Sequence, residues 1–360
     1  MGSFNIIIIF IFLNISLVYI IGFKVYLYIL AILVSCVLAY TVYTKRKKCK
    51  VPFRAGRGVL ITGCDTGLGH DAALQFVNTG FIVFAGCLTP EGANDLWQKG
   101  GGGRLHVILL DVTSETSVQD AVEVVESKIA DSELWAVINI AGVAFTGDIE
   151  IALIETMQRI AEVNLFGMIR VTKAFLPFIR KSKGRVINVT SAKGRIALPS
   201  DAPSTITQWA VEAFSDILRR EMCRFGIKVV IIEPGHFAGI TGMGTIDNGT
   251  DAEANLYEAW FKAPKHIKTC YDRKYIDSLI HNFYRVKNSS NLSREPVLDA
   301  LQDAMENVSP KLRYLVHGNY CVSDEYCVLA VLNNVLPDSW MDFFVQRAFP
   351  IPDATEQNIF

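Results

Sequence analysis

No tyrosine occurs between Tyr43 and Tyr257, so the middle of this 360-residue chain has no phenol to offer as a proton donor. Eight cysteines are scattered without a CxxC pair or a Cys/His ligand spacing, a pattern that favours reduced thiols over zinc or a disulfide framework. No metal site is expected. Charge of either sign is in no excess, the net being −1 with a pI near 6.6, which leaves no electrostatic case for a nucleic-acid partner. No repeat at the periods of solenoids or propellers is present.

What the chain does have is apolar sequence at its start. Residues 6–21 (IIIIFIFLNISLVYII) and 25–43 (VYLYILAILVSCVLAYTVY) are apolar runs, the second long enough to cross a bilayer as one helix. The first lacks the basic flank and small-residue cleavage site of a signal peptide. Residues 1–50 therefore read as a retained membrane anchor of one or two segments. Lys45, Arg46, Lys47, Lys48 and Lys50 follow at once and by the positive-inside tendency put the next domain in the cytosol. The expected location is the endoplasmic reticulum membrane, with a mitochondrial membrane as the alternative.

From Gly58 onward short apolar runs alternate with helical periods, the pattern of repeated βα units on a parallel sheet. Strands are expected at 59–62, 81–85, 105–110, 134–139, 185–190 and 227–232, and helices near 68–79, 92–99, 115–130, 151–181 and 205–225. The first strand runs into Thr62-Gly63-Cys64-Asp65-Thr66-Gly67-Leu68-Gly69 and then helical sequence. Glycines there let backbone N–H groups approach a pyrophosphate at a helix N-terminus. No acidic residue ends the second strand, where Gly86-Cys87-Leu88-Thr89 stands, and no basic one lies near. The absence of a basic residue favours NAD and leaves NADP open. Asp111 after the third strand reads as a cap or a contact for adenine.

With the glycine turn, Asp111, Asn139-Ile140-Ala141-Gly142, Asn164, Ser191 and Pro234-Gly235 in this order, residues 55–300 resemble the short-chain dehydrogenase/reductase family. The phrases EVNLFGMIRVTKAFLPFIRKSKGRVINV and VEAFSDILRREM are similar to its branch of hydroxybutyrate, 17β-hydroxysteroid and 11-cis-retinol dehydrogenases. The resemblance implies a Rossmann-type, doubly wound α/β domain that binds NAD(H) and moves a hydride between nicotinamide and an alcohol or ketone carbon. It implies Thr62, Gly63, Asp65, Gly67, Leu68, Gly69, Asp111, Asn139, Ala141, Gly142, Pro234 and Gly235 as cofactor contacts. It also implies that Asn164 holds a relay water and that Ser191 binds the substrate oxygen.

In the family a tyrosine thirteen positions after that serine moves the proton, and a lysine four further on lowers its pKa. Here those positions are Ser204 and Gln208. A serine hydroxyl has a pKa far above tyrosine's, near 10, and an uncharged glutamine depresses no neighbour's pKa. His236 and Lys193 are candidate replacements, each weighed against a bystander in a loop. Ile140, where the family has a second asparagine, reads as core packing at a strand end. Two functions follow: an oxidoreductase with a substituted relay, or a non-catalytic protein holding dinucleotide or lipid.

From about residue 239 the chain turns aromatic (Tyr257, Trp260, Phe261, Tyr271, Tyr275, Phe283, Tyr284), as a lid over a hydrophobic substrate or as packing. Residues 301–360 read as a helical extension, with 324–349 amphipathic and suited to a membrane surface, a partner or the core. The helices at 151–181 and 205–225 resemble the family's dimer-forming pair, so a homo- or heterodimer is expected. Four glycosylation sequons begin at Asn248, Asn288, Asn291 and Asn307. With a cytosolic domain they stay unmodified, so electrophoretic mobility of the protein from eukaryotic cells is expected to be unchanged by endoglycosidase; a shift would reverse the topology.

Overall fold

Central strands of a parallel sheet are covered on both faces and so are apolar throughout. This is the case for β1 (Gly58–Thr62) and β4 (Leu134–Asn139), in which every residue is buried. In the computed structural model, residues 23–44, 56–129, 132–237, 252–290, 293–318 and 324–351 are described. They fall in two compact units, Met1–Val51 and Pro52–Phe360.

In the first unit Phe23–Thr44 forms helix α1. Its described side chains, Val25 and those of residues 27–36, are exposed and include Leu27, Tyr28, Ile32, Leu33 and Val34. Among the described residues no helix is long and apolar enough to cross a membrane. The apolar run at 6–21 and the basic cluster from Lys45 to Lys50 lie outside the described residues.

The second unit is built on a parallel sheet of seven strands in the order β3-β2-β1-β4-β5-β6-β7. The others are β2 (Ile82–Cys87), β3 (Leu105–Leu109), β5 (Arg185–Val189), β6 (Lys228–Pro234) and β7 (Arg313–Val316). All six expected strands form, within one or two residues of their expected ends. Connecting helices are α2 (Gly67–Asn78), α3 (Pro90–Gly100), α4 (Glu115–Ile129), α5 (Ile154–Ala161), α6 (Met168–Ser182) and α7 (Ala202–Met222). Val118, Val125, Val171, Phe175, Ile179 and Leu218 from α4, α6 and α7 pack with Leu60, Phe84 and Val137 of the sheet into one core. The order reverses between β1 and β4, and the carboxyl ends of those strands open the crevice in which ligands bind in this topology.

Two expectations need correction. The long helix at 151–181 is interrupted by a π-helical turn, Glu162–Gly167, which displaces Asn164 from a regular α-helical register. Residues from 301 onward are not helical throughout, because Arg313–Val316 adds in register to β6 and so belongs to the sheet. This strand is short and half-buried, as an edge strand is, so its apolar signal is weak. Of the two readings left open for the aromatics after 252, packing describes most of them, while Phe283 lines a cavity. On α8 (Ala252–Lys262), α9 (Lys265–Cys270) and α10 (Arg273–Ser289), Tyr257, Trp260, Tyr271 and Tyr275 join Phe145, Ile151 and Ile160 in a separate cluster. Residues 239–251, where the lid was expected to begin, lie outside the described residues.

Helix α11 (Glu295–Glu306) is held by Arg185, fully buried at the start of β5, whose guanidinium donates to Ala304 O at 2.5 Å and Asn307 O at 3.0 Å. After β7 come α12 (Glu325–Leu332) and α13 (Asp338–Ala348). Tyr326, Cys327, Leu329, Ala330 and Met341 complete a core with Ala192, Ile196 and Leu198, while Val335, Trp340 and Phe343 remain exposed.

Arg313 ties β7 to the rest through an ionic network: its guanidinium meets Glu212 at 2.8 Å, Asp216 at 3.1 Å and Glu233 of β6 at 3.3 Å. Glu233 has no exposed surface and also pairs with Arg195 at 3.4 Å. Burial pushes the Glu233 carboxyl up to about 7; neighbouring Glu212 adds to the rise, and Arg195 and Arg313 oppose it. A carboxyl whose pKa is raised by folding contributes stability that is complete below its unfolded pKa and is lost as pH rises through the folded value. Stability is therefore expected to fall between about pH 4.5 and 7 by an amount on the order of 2 kcal/mol from this group. Urea unfolding of Glu233→Gln across that range should show a flattened profile; an unchanged slope would remove Glu233 as its source.

Candidate functional site

The glycine turn after β1 sets the geometry of the crevice. Gly63 lies at φ +72, and a Cβ there would stand 2.7 Å from Ala141 Cα, so the turn passes directly against the end of β4. At Gly69 a Cβ would meet Gly63 O at 2.1 Å, so only glycine lets the first turn of α2 sit on the strand. The N-cap Thr66 makes no side-chain bond to the helix, leaving the first amides of α2 uncapped by it beside the cavity. Thr62 is spent inside: its Oγ1 accepts from Ile140 N at 3.0 Å and Ala141 N at 3.1 Å. Of the expected residues in this turn, Gly63, Asp65, Leu68 and Gly69 line the cavity.

Asp65 does more than the sequence suggested. Its carboxylate accepts from Leu88 N, Thr89 N and Thr89 Oγ1, each at 2.8 Å, and so carries a negative charge from the glycine turn to the end of β2. The acidic group missing from β2 itself is thus supplied from a position 23 residues earlier. Asp111 also lines the cavity, and its Oδ1 accepts from Thr113 N at 2.9 Å and Thr113 Oγ1 at 2.7 Å in a turn before α4, whose first turn is capped by Ser114 Oγ accepting from Ser117 N at 3.2 Å.

At the end of β4, Asn139 departs from its expected place among the cofactor contacts. Its Nδ2 donates to Thr172 Oγ1 at 3.0 Å and Asn188 Oδ1 at 2.9 Å, which turns it into the interior between sheet and α6. Ala141 and Gly142 line the cavity as expected, and Ile140 does too, half-buried, rather than packing in the core. Asn164 holds the strand that leaves β4: Oδ1 accepts from Val143 N at 2.8 Å, and Nδ2 donates to Val143 O at 2.9 Å and Thr207 Oγ1 at 3.2 Å.

Ser204 completes the same suspension. It is buried at the start of α7, where its Oγ accepts from Phe145 N at 3.3 Å and donates to Phe145 O at 3.4 Å. Gln208, one turn on, lines the cavity with a buried Oε1 that has no partner. A buried orphan acceptor costs free energy unless something donates to it. Ser191, at the end of β5, is half-buried at the cavity wall, donating to Pro234 O at 3.4 Å and accepting from Lys193 N at 3.3 Å.

On the far side Pro234, Gly235 and His236 line the cavity. His236 is fixed by its amide, which donates to Asp324 Oδ2 at 3.0 Å, and its Nε2 lies 3.2 Å from Ser289 Oγ. Burial lowers its pKa below the ordinary value, Asp324 opposing and Lys193 reinforcing, so it is neutral at pH 7. Lys193, expected on the surface, instead enters the cavity wall and pairs with Asp201 at 2.5 Å. Burial would lower its pKa, but Asp201, helped by Tyr326, more than offsets this and keeps it above the usual lysine range. Tyr326 of α12 lines the same space, stacked on His236 at 5.3 Å between centroids, with Lys193 Nζ 5.8 Å from its ring.

These groups enclose a cavity of about 380 Å³ whose remaining wall is mostly apolar, including Leu198, Leu279, Val286 and Phe349. Lys193, Asp201 and Tyr326 are functional candidates that sequence reasoning missed or set aside. Asp201 and Lys193 sit inside the stretch that carries Ser191, but Tyr326 lies 135 positions after Ser191, and only the sheet topology brings it there.

Residues 57–249 match the profile of the short chain dehydrogenase family. The chain is 40% identical over 263 residues to the mitochondrial D-beta-hydroxybutyrate dehydrogenase of Bos taurus, covering 72% of this chain and 76% of that one. It is 34% identical over 316 residues to 17-beta-hydroxysteroid dehydrogenase type 6 of Homo sapiens, covering 88% and 96%. To retinol dehydrogenase 7 of Mus musculus it is 36% identical over 256 residues, covering 71% and 79%. Among solved structures, a short-chain dehydrogenase from Streptomyces avermitilis superposes with a TM-score of 0.63 at 22% identity, covering 82% of this chain and 97% of that one, a likeness of fold.

If Ser204 is a structural hydroxyl, Ser204→Ala strands the Phe145 amide and is expected to lower stability by about 1–2 kcal/mol. Thermal unfolding measures this, and an unchanged midpoint would refute the role.

Proposed function

Because the chain belongs to the short-chain dehydrogenase/reductase family, we propose that it is an NAD(H)-linked oxidoreductase acting on an alcohol or ketone of a steroid, retinoid or related lipid. Its proton relay does not use the tyrosine and lysine usual in the family. The observation that carries this is the crevice itself: a glycine cradle, an uncapped helix N-terminus and an apolar cavity meet at the β1/β4 reversal.

A nicotinamide dinucleotide fits the residues present. The Gly63–Gly69 cradle, which a Cβ at either position would fill, suits a pyrophosphate on the α2 amides. The orphan Gln208 Oε1 would accept from a ribose hydroxyl, and Pro234 and Gly235 would help line the space for the nicotinamide. When bound, the dinucleotide supplies or takes the hydride; the chain positions the substrate oxygen with Ser191 and excludes water with its apolar wall. The Asp65 carboxylate beside Thr89 repels the extra phosphate of NADP and so supports NAD.

Membrane attachment through residues 1–50 belongs to the same reading, supported by the exposed apolar side chains of α1, among them Leu27, Ile32, Leu33 and Val34. Endoplasmic reticulum with a cytosolic domain is the proposed site. Pairing with a second copy or a relative is supported by Ile206, Trp209 and Ile217, exposed along one face of α7.

Isothermal titration of NADH and NADPH, followed by turnover assays with a hydroxysteroid, retinol and D-3-hydroxybutyrate, tests the proposal. NADH is expected to bind at least about tenfold more tightly, equivalent to ~1.4 kcal/mol, and at least one substrate to turn over. Binding without turnover would instead support a dinucleotide-holding protein, and no binding would remove both.

A further inference from the structure

The side of the cavity where the family keeps its proton donor has no free donor here. Ser204 Oγ is engaged at both ends by the Phe145 backbone, and Asn164 is spent on Val143 and Thr207. Gln208 offers an acceptor only at its orphan oxygen. Elsewhere in the lining the groups differ: a phenol from α12, a neutral imidazole after β6, and the ammonium–carboxylate pair of Lys193 with Asp201, the N-cap of α7, line the same cavity as Ser191.

We propose that Tyr326 is the catalytic acid and base of this protein, acting on the substrate oxygen held by Ser191, with the Lys193–Asp201 pair as its electrostatic support. The inference rests on the oxidoreductase reading above and names the group that carries its proton.

Four observations support it. Tyr326 reaches the cavity from α12 by packing its ring among Ala192, Ile196 and Leu198, so it is anchored to the loop that follows Ser191. Its ring stacks on His236 at 5.3 Å and meets Phe349 at 4.8 Å, contacts that restrain its orientation. Among the described residues no hydrogen bond holds its hydroxyl, so the proton is free to be given. Lys193 Nζ lies 5.8 Å from the ring centre, a position from which a cation stabilises both the ring and the phenolate formed from it.

The charges around the phenol suit an acid. Burial raises its pKa; Lys193 opposes the rise, and Asp201, Asp324 and Glu325 add to it. His236, the remaining titratable neighbour, is neutral at pH 7. The phenol is therefore protonated at rest. In reduction of a ketone a bound dinucleotide would supply the hydride to the carbonyl carbon, and the part of this chain is the proton. The carbonyl π pair then becomes the O–H bond by taking the Tyr326 proton. The phenolate left behind sits over Lys193 until it takes a proton from solvent. Alcohol oxidation runs the same transfers in reverse, the phenolate removing the hydroxyl proton. His236 and Asp324 position the ring and exchange no proton in this scheme.

The test uses the full chain in detergent, labelled with 3-fluorotyrosine, the Tyr326 signal being identified by its absence from Tyr326→Phe. On adding NADH the ¹⁹F resonance of Tyr326 is expected to move, and in Lys193→Met it should titrate at higher pH than in the parent. With hydroxysteroid, retinol and D-3-hydroxybutyrate as probes, Tyr326→Phe should lower kcat by ~10²–10⁴-fold with NADH affinity within twofold of the parent. A parent that turns over with Tyr326→Phe equally active overturns the assignment and leaves the oxidoreductase reading standing. Lost turnover together with lost NADH binding or a collapsed unfolding midpoint makes Tyr326 structural and also overturns it. A parent that binds NADH without any turnover removes both.

Discussion

The contact on which the site depends is the one between the ends of β1 and β4, where two backbone amides, of Ile140 and Ala141, converge on the single hydroxyl of Thr62. Gly63 presses against Ala141 in the same place, closer than any side chain would permit. Together these fix the direction in which the chain leaves β4. From there a ladder of side chains takes over: Asn164 grips Val143 at both its amide and its carbonyl, and Ser204 does the same for Phe145 two residues on. A loop that would otherwise need partners for its buried amides is thereby suspended from α7 and the π-helical turn, and the cavity floor is rigid.

This explains what Ser204 is for. At the position where relatives of this family would place a proton-transferring phenol, the chain has a small hydroxyl that satisfies a buried peptide. A serine making two such bonds is held by them, and giving up its proton would strand the carbonyl of Phe145 as well as ionise a group of very high pKa. Gln208 follows the same logic one turn along. It retains an acceptor at the cavity wall but no charge, so nothing in this part of α7 lowers the pKa of a neighbour. At this corner of the crevice the Ser204 hydroxyl is spent on the backbone of Phe145.

The sheet was legible because its evidence is local: buried parallel strands are uninterrupted apolar runs, and Gly63 to Gly69 follows one of them directly. The edge strand Arg313–Val316 was not, since only alternate residues are buried and its pairing with β6 is set by a partner about 80 positions away. Within the site, Gly63, Gly69, Asn164 and Ser191 were recognisable by type and spacing. Asn139 was misplaced because spacing does not say which face of a strand end a side chain takes; Thr172 and Asn188 draw it inward. Asp65 and Tyr326 were invisible for a different reason. Each acts on a region contributed by distant sequence, the first at the end of β2 and the second beside Ser191, and a residue's chemistry alone does not reveal where the fold delivers it.

At the end of β4 and the start of α7, Asn164 and Ser204 are spent on the backbone of Val143 and Phe145, while Gln208 Oε1 is left without a partner. Tyr326 of α12 is held instead by packing, beside the ion pair of Lys193, in the loop after β5, with Asp201 at the N-cap of α7, and its hydroxyl keeps unused capacity. A reaction that moves a proton needs a donor whose loss of that proton breaks no structural bond. Among the described residues that line the cavity, Tyr326 is such a group. On the proposed reading the proton comes from α12 and not from the start of α7, while the cradle for the dinucleotide at the β1/β4 reversal is unaffected.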